Sequence, residues 1–335
     1  MKKLFAIILT LILTASMLSL VACDPNNTDG PNTPKGTITV AMPDGAPVLA
    51  VYNLLKNVKT LDGYQMEYKI LSGAANIGTS VLTGEADVAV MPTNVAAKLF
   101  NNGADIKLMS VNIFGVLYMV GKTPLTNGLE DLKGKVLLNI GRGGSPDITT
   151  KLILDKNNIP YEESETAIEG KVALRYCADA SEVIALLKTD KADYGVMGEP
   201  AVTNAVKALS ASIVMDLQSV WNDSVGENSF TQAGVVLGKS VYNDKNFVNA
   251  LYAALNENLD YIYTDAQNVK QTLIDNGSAL KVDFTTEVLN RCNLKNQKAA
   301  DIQSKLEAYF TEVMAYDKTF IGGKIPNADL YYKFD

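Results

Sequence analysis

From Thr37 onward the chain alternates short apolar runs with longer stretches whose apolar residues recur every three or four positions. The first pattern predicts buried strands and the second amphipathic helices. Thr37–Met42 predicts a strand, Pro47–Val58 a helix with proline in its first turn, and Tyr64–Leu71 an alternating strand. Ala75–Thr83 predicts a helix stopped at Gly84, Asp87–Met91 a buried strand, and Thr93–Asn101 a helix. Ile106–Val111 and Val116–Val120 read as strands. A second series follows: strand Val136–Ile140, helix Pro146–Asn157, strand Ala173–Cys177 and helix Ser181–Lys188. It continues with strand Asp193–Met197, helix Pro200–Leu209 and strand Ser212–Met215. Val235–Gly238 is one more strand, and the pattern is then helical to about Tyr316, before a polar, aromatic tail. Such a rhythm predicts an α/β fold of parallel or mixed sheets flanked by helices.

The two series echo each other. Ala86-Asp87-Val88-Ala89-Val90-Met91 aligns with Ala192-Asp193-Tyr194-Gly195-Val196-Met197. Each opening strand leads through a glycine-containing loop to a proline suited to start a helix, Pro47 in one case and Pro146 in the other. Two similar α/β lobes imply a ligand cleft between their facing strand-end loops, because open α/β sheets bind at the carboxyl ends of their strands.

The first residues carry a different pattern. Lys2 and Lys3 precede an apolar run from Leu4 to Ala22, the layout of a secretory signal. Leu20-Val21-Ala22-Cys23 resembles the lipobox of bacterial lipoproteins, which implies a signal peptide over 1–22 and a lipidated Cys23. Several acyl chains on one residue would hold the protein on a membrane. Asp24–Gly36 has three prolines and no large apolar residue, so 23–36 reads as lipidated cysteine plus flexible linker.

Composition narrows the chemistry. At 335 residues, 47% hydrophobic and 20% charged, the chain is globular and long enough for two domains. Thirty basic residues against 37 acidic ones disfavour a nucleic-acid partner. There is no histidine, which excludes Ser-His-Asp and Cys-His nucleophile systems and His-ligated metals. Three scattered cysteines form neither a disulfide framework nor a metal site. No metal or other cofactor is implied.

Leu82-Thr83-Gly84-Glu85-Ala86-Asp87-Val88-Ala89, Leu132-Lys133-Gly134-Lys135-Val136 and Gly198-Glu199-Pro200, following a lipobox, resemble the solute-binding lipoproteins of bacterial ABC importers. The likeness is to the nitrate/sulfonate/taurine and thiamine-precursor group, with a type II periplasmic-binding-protein fold. It implies one lobe of 37–120 plus 236–335, a second of 121–235, and hinge crossovers near Tyr118–Lys122 and Gly234–Lys239. Cys177 and Cys292 would then fall in different lobes, where a bridge would restrict closure, so both read as buried thiols. The resemblance also implies a monomer on the outer face of the cell membrane that passes a small solute to permease and ATPase subunits. The expected solute is a small organic anion or zwitterion, with a pyrimidine or other heterocycle as the alternative. A fold-related enzyme of menaquinone-type metabolism and a ligand sensor for a membrane receptor are the other classes. Export argues against the enzyme, and no nucleophile–base spacing is visible.

The candidate ligand residues lie in the strand-end loops. Gly141-Arg142-Gly143-Gly144-Ser145-Pro146 suits an anion: glycines admit close approach, Ser145 opens a helix, and Arg142 offers a bidentate contact. Asp147 beside it counts against a simple anion. Asp44, Gly45 and Ala46 form the matching loop of the first lobe, where Asp44 either meets a ligand donor or stabilises the turn. Ser72, Asn76, Thr93 and Asn94 offer neutral hydrogen bonds or cap helices. Glu199, placed in the cleft by the resemblance, recognises an amine or ring N–H or caps its helix. Phe114 and Tyr118 read as core, and Trp221 falls in a polar segment.

Overall fold

The computed structural model describes residues 34–71, 74–226 and 230–334. The signal segment, Cys23, most of the linker and Ser72 lie outside them.

Strands β1 (Thr37–Pro43), β2 (Thr60–Leu61), β3 (Tyr64–Leu71), β4 (Val88–Pro92) and β5 (Ile106–Ile113) belong to one sheet. Strands β6 (Leu117–Gly121), β7 (Val136–Ile140), β8 (Tyr161–Glu163), β9 (Val172–Cys177), β10 (Tyr194–Gly198) and β11 (Ser212–Asp216) make the other. The chain then returns to the first sheet with β12 (Ala233–Gly238) and β13 (Leu294–Lys298). The orders are β13-β5-β12-β4-β1-β3-β2 and β11-β6-β10-β7-β9-β8. The mixed α/β architecture expected from the pattern is the one observed, and one compact unit spans Gly36–Asp335.

The sequence echo is a structural repeat. In the first sheet β1 lies parallel between β3 and β4, and β4 pairs antiparallel with β12. In the second, β7 lies parallel between β9 and β10, and β10 pairs antiparallel with β6. The aspartates before β4 and β10 do the same job. Asp87 accepts from the Thr39 N–H at 2.9 Å and donates its own N–H back to the Thr39 carbonyl. Asp193 treats Val136 the same way, at 3.0 and 3.1 Å. One turn earlier, Thr83 and Thr189 return their hydroxyls to the carbonyls of Thr79 and Ala185. The next residues, Gly84 and Asp190, both turn left-handed, at φ 76° and 53°.

The helices on these sheets follow the apolar spacing, with three departures. The expected helix Pro47–Val58 is two short ones, α1 (Ala46–Leu49) and α2 (Tyr52–Asn57). Asn258, inside the long helix Lys245–Thr264, fills the break: its amide donates to the carbonyls of Leu49 and Ala50 and accepts from the Asn53 N–H. The freed backbone groups are thereby paired. The polar segment around Trp221 is a helix, Leu217–Val225, started by Asp216, whose carboxylate accepts from the N–H groups of Gln218 and Ser219. The stretch read as helical to Tyr316 is interrupted. It contains helices Ala266–Asp275 and Thr286–Arg291, an irregular segment after Gly277, edge strand β13, and helix Gln303–Asp317. The β13 sequence LKNQK carries no strand signal, because an edge strand needs only one partner and buries neither face fully.

The chain passes between sheets at 114–116 and again between Asp216 and Ala233, ahead of the crossovers expected near Tyr118–Lys122 and Gly234–Lys239, because Leu117–Gly121 and Ala233–Gly238 are strands paired within the sheets. Gly115 makes the first passage at φ 87°, where a Cβ would sit 1.6 Å from Gln218 Oε1 and 2.7 Å from the Phe230 ring. Trp221 is fully buried and stacks on Phe230 at 5.1 Å, with Tyr309 tilted against both. This block belongs to one apolar cluster that runs from Ala89 and Val236 of the first sheet to Leu137 and Val196 of the second. Phe114 and Tyr118 are buried core, and Cys177 and Cys292 are buried free thiols. Burial pushes the Cys177 thiol up to about 11 and the Cys292 thiol up as well.

Candidate functional site

A cavity of about 300 Å³ lies where the strand-end loops of the two sheets meet. The first sheet contributes Pro43, Asp44, Gly45 and Ala46 after β1, and Pro92 at the end of β4. The second contributes Ile140 and Pro146 around the glycine-rich loop, and Gly198, Glu199 and Pro200 after β10. The passages between sheets add Ile113, Val116, Leu117 and Gln232. Its size and apolar wall suit a small organic molecule.

Three polar side chains of this wall have partners within the protein. Asp44 accepts from the Ser278 hydroxyl at 2.6 Å, the Ala279 N–H at 2.8 Å and the Gly45 N–H at 3.1 Å. It therefore ties its loop to the segment after Gly277. The Gln232 side-chain oxygen accepts from the Val116 N–H at 3.0 Å. Glu199 is buried and accepts from Arg291 Nε at 2.5 Å, the Thr203 hydroxyl at 3.0 Å and the Thr203 N–H at 3.2 Å. Arg291 reaches it from the end of helix Thr286–Arg291, and its backbone carbonyl accepts from the Tyr118 hydroxyl of β6 at 2.9 Å. Burial works against the Arg291 charge, but Glu199 and Glu287 outweigh it and hold its pKa above the ordinary value. Burial also pushes the Tyr118 phenol up.

The other candidates stand elsewhere. Arg142 does not line the cavity. Its guanidinium is exposed, pairs with Glu163 and stacks over the Tyr176 ring at 4.5 Å. Gly143 donates its N–H to Asp147 at 2.8 Å, and Gly144 donates to the Gly141 carbonyl at 2.6 Å. Asp147 turns inward, accepting from the Tyr176 hydroxyl at 2.6 Å and pairing with Lys151 at 3.2 Å. It fixes the glycine-rich loop from below. Ser145 is buried beside Tyr309 and does not line the cavity. Thr93 is buried and donates to the Thr231 carbonyl at 2.5 Å, and Asn94 is buried next to it; neither lines the cavity. Asn76 is exposed on helix Ala74–Thr83, and Ser72 and Cys23 lie outside the described residues.

The cavity thus joins Asp44, Gly45, Ala46 and Glu199 from the sequence candidates and adds residues that sequence reasoning missed. Ile113, Val116 and Leu117 look like ordinary strand residues in the sequence. Arg291, which holds Glu199 without lining the cavity itself, sits in a stretch read only as helical.

No family model matches the chain, and no curated protein does. Solved structures do match. An ABC transporter structure from Parabacteroides distasonis is 24% identical, covers 89% of this chain and 99% of its own, and superposes with a TM-score of 0.76. The periplasmic aliphatic sulphonate binding protein of Escherichia coli is 12% identical, with coverage of 89% and 97% and a TM-score of 0.66. The alkanesulfonate-binding protein of Xanthomonas axonopodis pv. citri, solved with MOPS bound, is 13% identical, with coverage of 90% and 97% and a TM-score of 0.58. At these identities the shared property is architecture: the chain has the two-sheet α/β fold of ABC-import binding proteins over nearly all of their length.

Proposed function

We propose that this chain is the solute-binding component of an ABC importer, tethered outside a membrane through Cys23. It captures one small organic solute between two lobes, one built on each sheet, and delivers it to permease and ATPase subunits as a monomer. The cavity between the strand-end loops of both sheets carries this reading. A solute touching both sheets binds the closed arrangement better than an open one, which drives closure. No helix among the described residues is long and apolar enough to cross a membrane. Among the residues lining the cavity, nothing pairs a nucleophile with a base, which supports binding without turnover.

The lining also bears on the solute. It contains no lysine or arginine, and both of its carboxylates already have partners. That supports a compact, largely uncharged solute, such as a pyrimidine or another heterocycle, over a nitrate, sulfonate or taurine. The names of two structural neighbours favour sulfonates. A thermal-shift screen of pyrimidines, sulfonates, nitrate and amino acids separates these classes. Ligand at about 1,000 times its dissociation constant stabilises by about 4 kcal/mol, several degrees for a chain of this size. A rise with pyrimidines alone is expected. A rise with sulfonates alone would return the solute to the anion class, and chemical conversion of the bound compound would sink the binding-protein reading.

A further inference from the structure

Six buried polar atoms gather behind the apolar wall of the cavity without a hydrogen-bond partner within the protein. They are Asn94 Oδ1, Asn139 Nδ2, the Tyr309 hydroxyl and the side-chain oxygens of Ser145, Thr149 and Thr231. Each of these residues is more than nine-tenths buried. Asn139 precedes Ile140, Ser145 precedes Pro146, Thr231 precedes Gln232, and Asn94 follows close on Pro92. Ile140, Pro146, Gln232 and Pro92 all line the cavity. Asn94 lies in the first turn of helix Thr93–Asn101, after β4 of the first sheet. Ser145 and Thr149 share a face of helix Ser145–Lys156, after β7 of the second. Helix Gln303–Asp317 packs against both helices and brings Tyr309 beside Ser145. The Phe230 ring, next to Thr231, lies 6.2 Å from the Tyr309 ring. The unpaired groups therefore follow the seam between the two sheets.

Buried polar groups find partners, because burying one bare costs stability. A layer of bare ones beside a ligand cavity marks where a partner arrives from outside the chain. Their chemistry defines that partner. Asn94 Oδ1 only accepts, Asn139 Nδ2 only donates, and the hydroxyls do both. No lysine, arginine, aspartate or glutamate is among them, so a charged group would be buried there without a counter-charge. The negative charge that the start of helix Ser145–Lys156 favours is already supplied by Asp147. We propose that the solute seat continues behind the apolar wall into this layer, where a neutral solute sets an amide-type edge, an N–H beside a C=O, against Asn94, Asn139 and the hydroxyls of Ser145, Thr149, Thr231 and Tyr309. This rests on the reading of the cavity as the solute seat. Separation of the sheets parts Ser145 from Tyr309 and admits the solute. Closure then encloses its polar edge, while its apolar face meets Pro92, Ile140 and Pro146.

The test uses two probes: uracil, which carries such edges, and butane-1-sulfonate, an anion that only accepts. Both are titrated calorimetrically into the purified wild type, Y309F, S145A and T149V, whose melting temperatures are also taken without solute. Each substitution removes one hydroxyl with little change of shape. Each variant is expected to melt no lower than the wild type, since it loses an unpaired group, and to bind uracil at least about tenfold more weakly. The sulfonate is expected to bind none of them. Lower melting in all three variants would overturn the proposal, because the hydroxyls would then be held in the free protein by one another or by ordered water only. Unchanged uracil affinity in the variants overturns it too, as does a wild type that binds the sulfonate or takes no uracil. G198V separates this failure from failure of the cavity reading. Gly198 lines the cavity, and a Cβ there makes only ordinary contacts, 3.5 Å from Val116. Uracil binding weakened by G198V but not by the hydroxyl variants keeps the cavity as the seat and removes the polar layer. The reverse result keeps the polar layer and removes the cavity.

Discussion

Residues 79–91 and 185–197 build the same object twice, and they part company only where each strand ends. Up to that point the two halves match in detail: a threonine hydroxyl closing the helix, a left-handed residue, and an aspartate bonded to the start of the central strand. Beyond it, Thr93 is buried and bonded to the second passage between sheets, whereas Glu199 is held by Arg291 at the cavity. The shared portion places strands. The divergent portion, two or three residues long, makes the site.

Exchanging residues between the halves tests how deep the likeness goes. The largest effect is expected at the position where Ala89 of one half corresponds to Gly195 of the other. A Cβ on Gly195 would lie 2.5 Å from Val183 Cγ1 and 3.3 Å from Leu187. Gly195→Ala should therefore cost about 2–3 kcal/mol in urea unfolding, through overpacking. The reverse exchange, Ala89→Gly, should cost about 1–2 kcal/mol, through backbone freedom and the loss of one buried methyl. Equal costs would mean that the two helix–sheet interfaces are packed alike after all.

The aspartates come next. Asp87→Ala removes the acceptor for the Thr39 N–H and for the Ser240 hydroxyl, and should cost about 2 kcal/mol. Asp193→Ala also frees one N–H, but its carboxylate is 39% exposed and its other partner, Lys135, stands at 3.5 Å, so about 1 kcal/mol is expected. The reverse ranking in denaturant melts would remove the second-sheet aspartate from its minor role. The smallest effects belong to the left-handed turns. Gly84→Ala puts a Cβ into open space at φ 76° and should cost about 1 kcal/mol. Asp190→Gly should gain at most about 0.5 kcal/mol, because relief of the left-handed strain is offset by loss of the exposed Lys122 contact.

The repeat was legible in the sequence because its signals are local: an apolar run, a turn residue and a capping side chain all fall within a dozen positions. The strands and most helices followed from the same signals. Non-local features did not. The break between Leu49 and Tyr52 is stabilised by Asn258, some 200 residues away, and nothing near position 50 announces it. Strand β13 pairs on one side only and carries a polar sequence. The site was half legible for the same reason. Asp44 and Glu199 follow strands and could be picked out as loop residues, but Arg291 reaches Glu199 from 92 positions away. Arg142 had the right chemistry in the right kind of loop, yet Glu163 and Tyr176 draw its guanidinium away from the cavity.

The aromatic block of Trp221, Phe230 and Tyr309 has a thermodynamic consequence for the molecule as a whole. It belongs to a single buried apolar cluster with members in both sheets. Exposing that cluster from one sheet strips the apolar cover from the other. Heat should therefore be absorbed in one calorimetric peak, with equal van't Hoff and calorimetric enthalpies, although the chain builds two sheets.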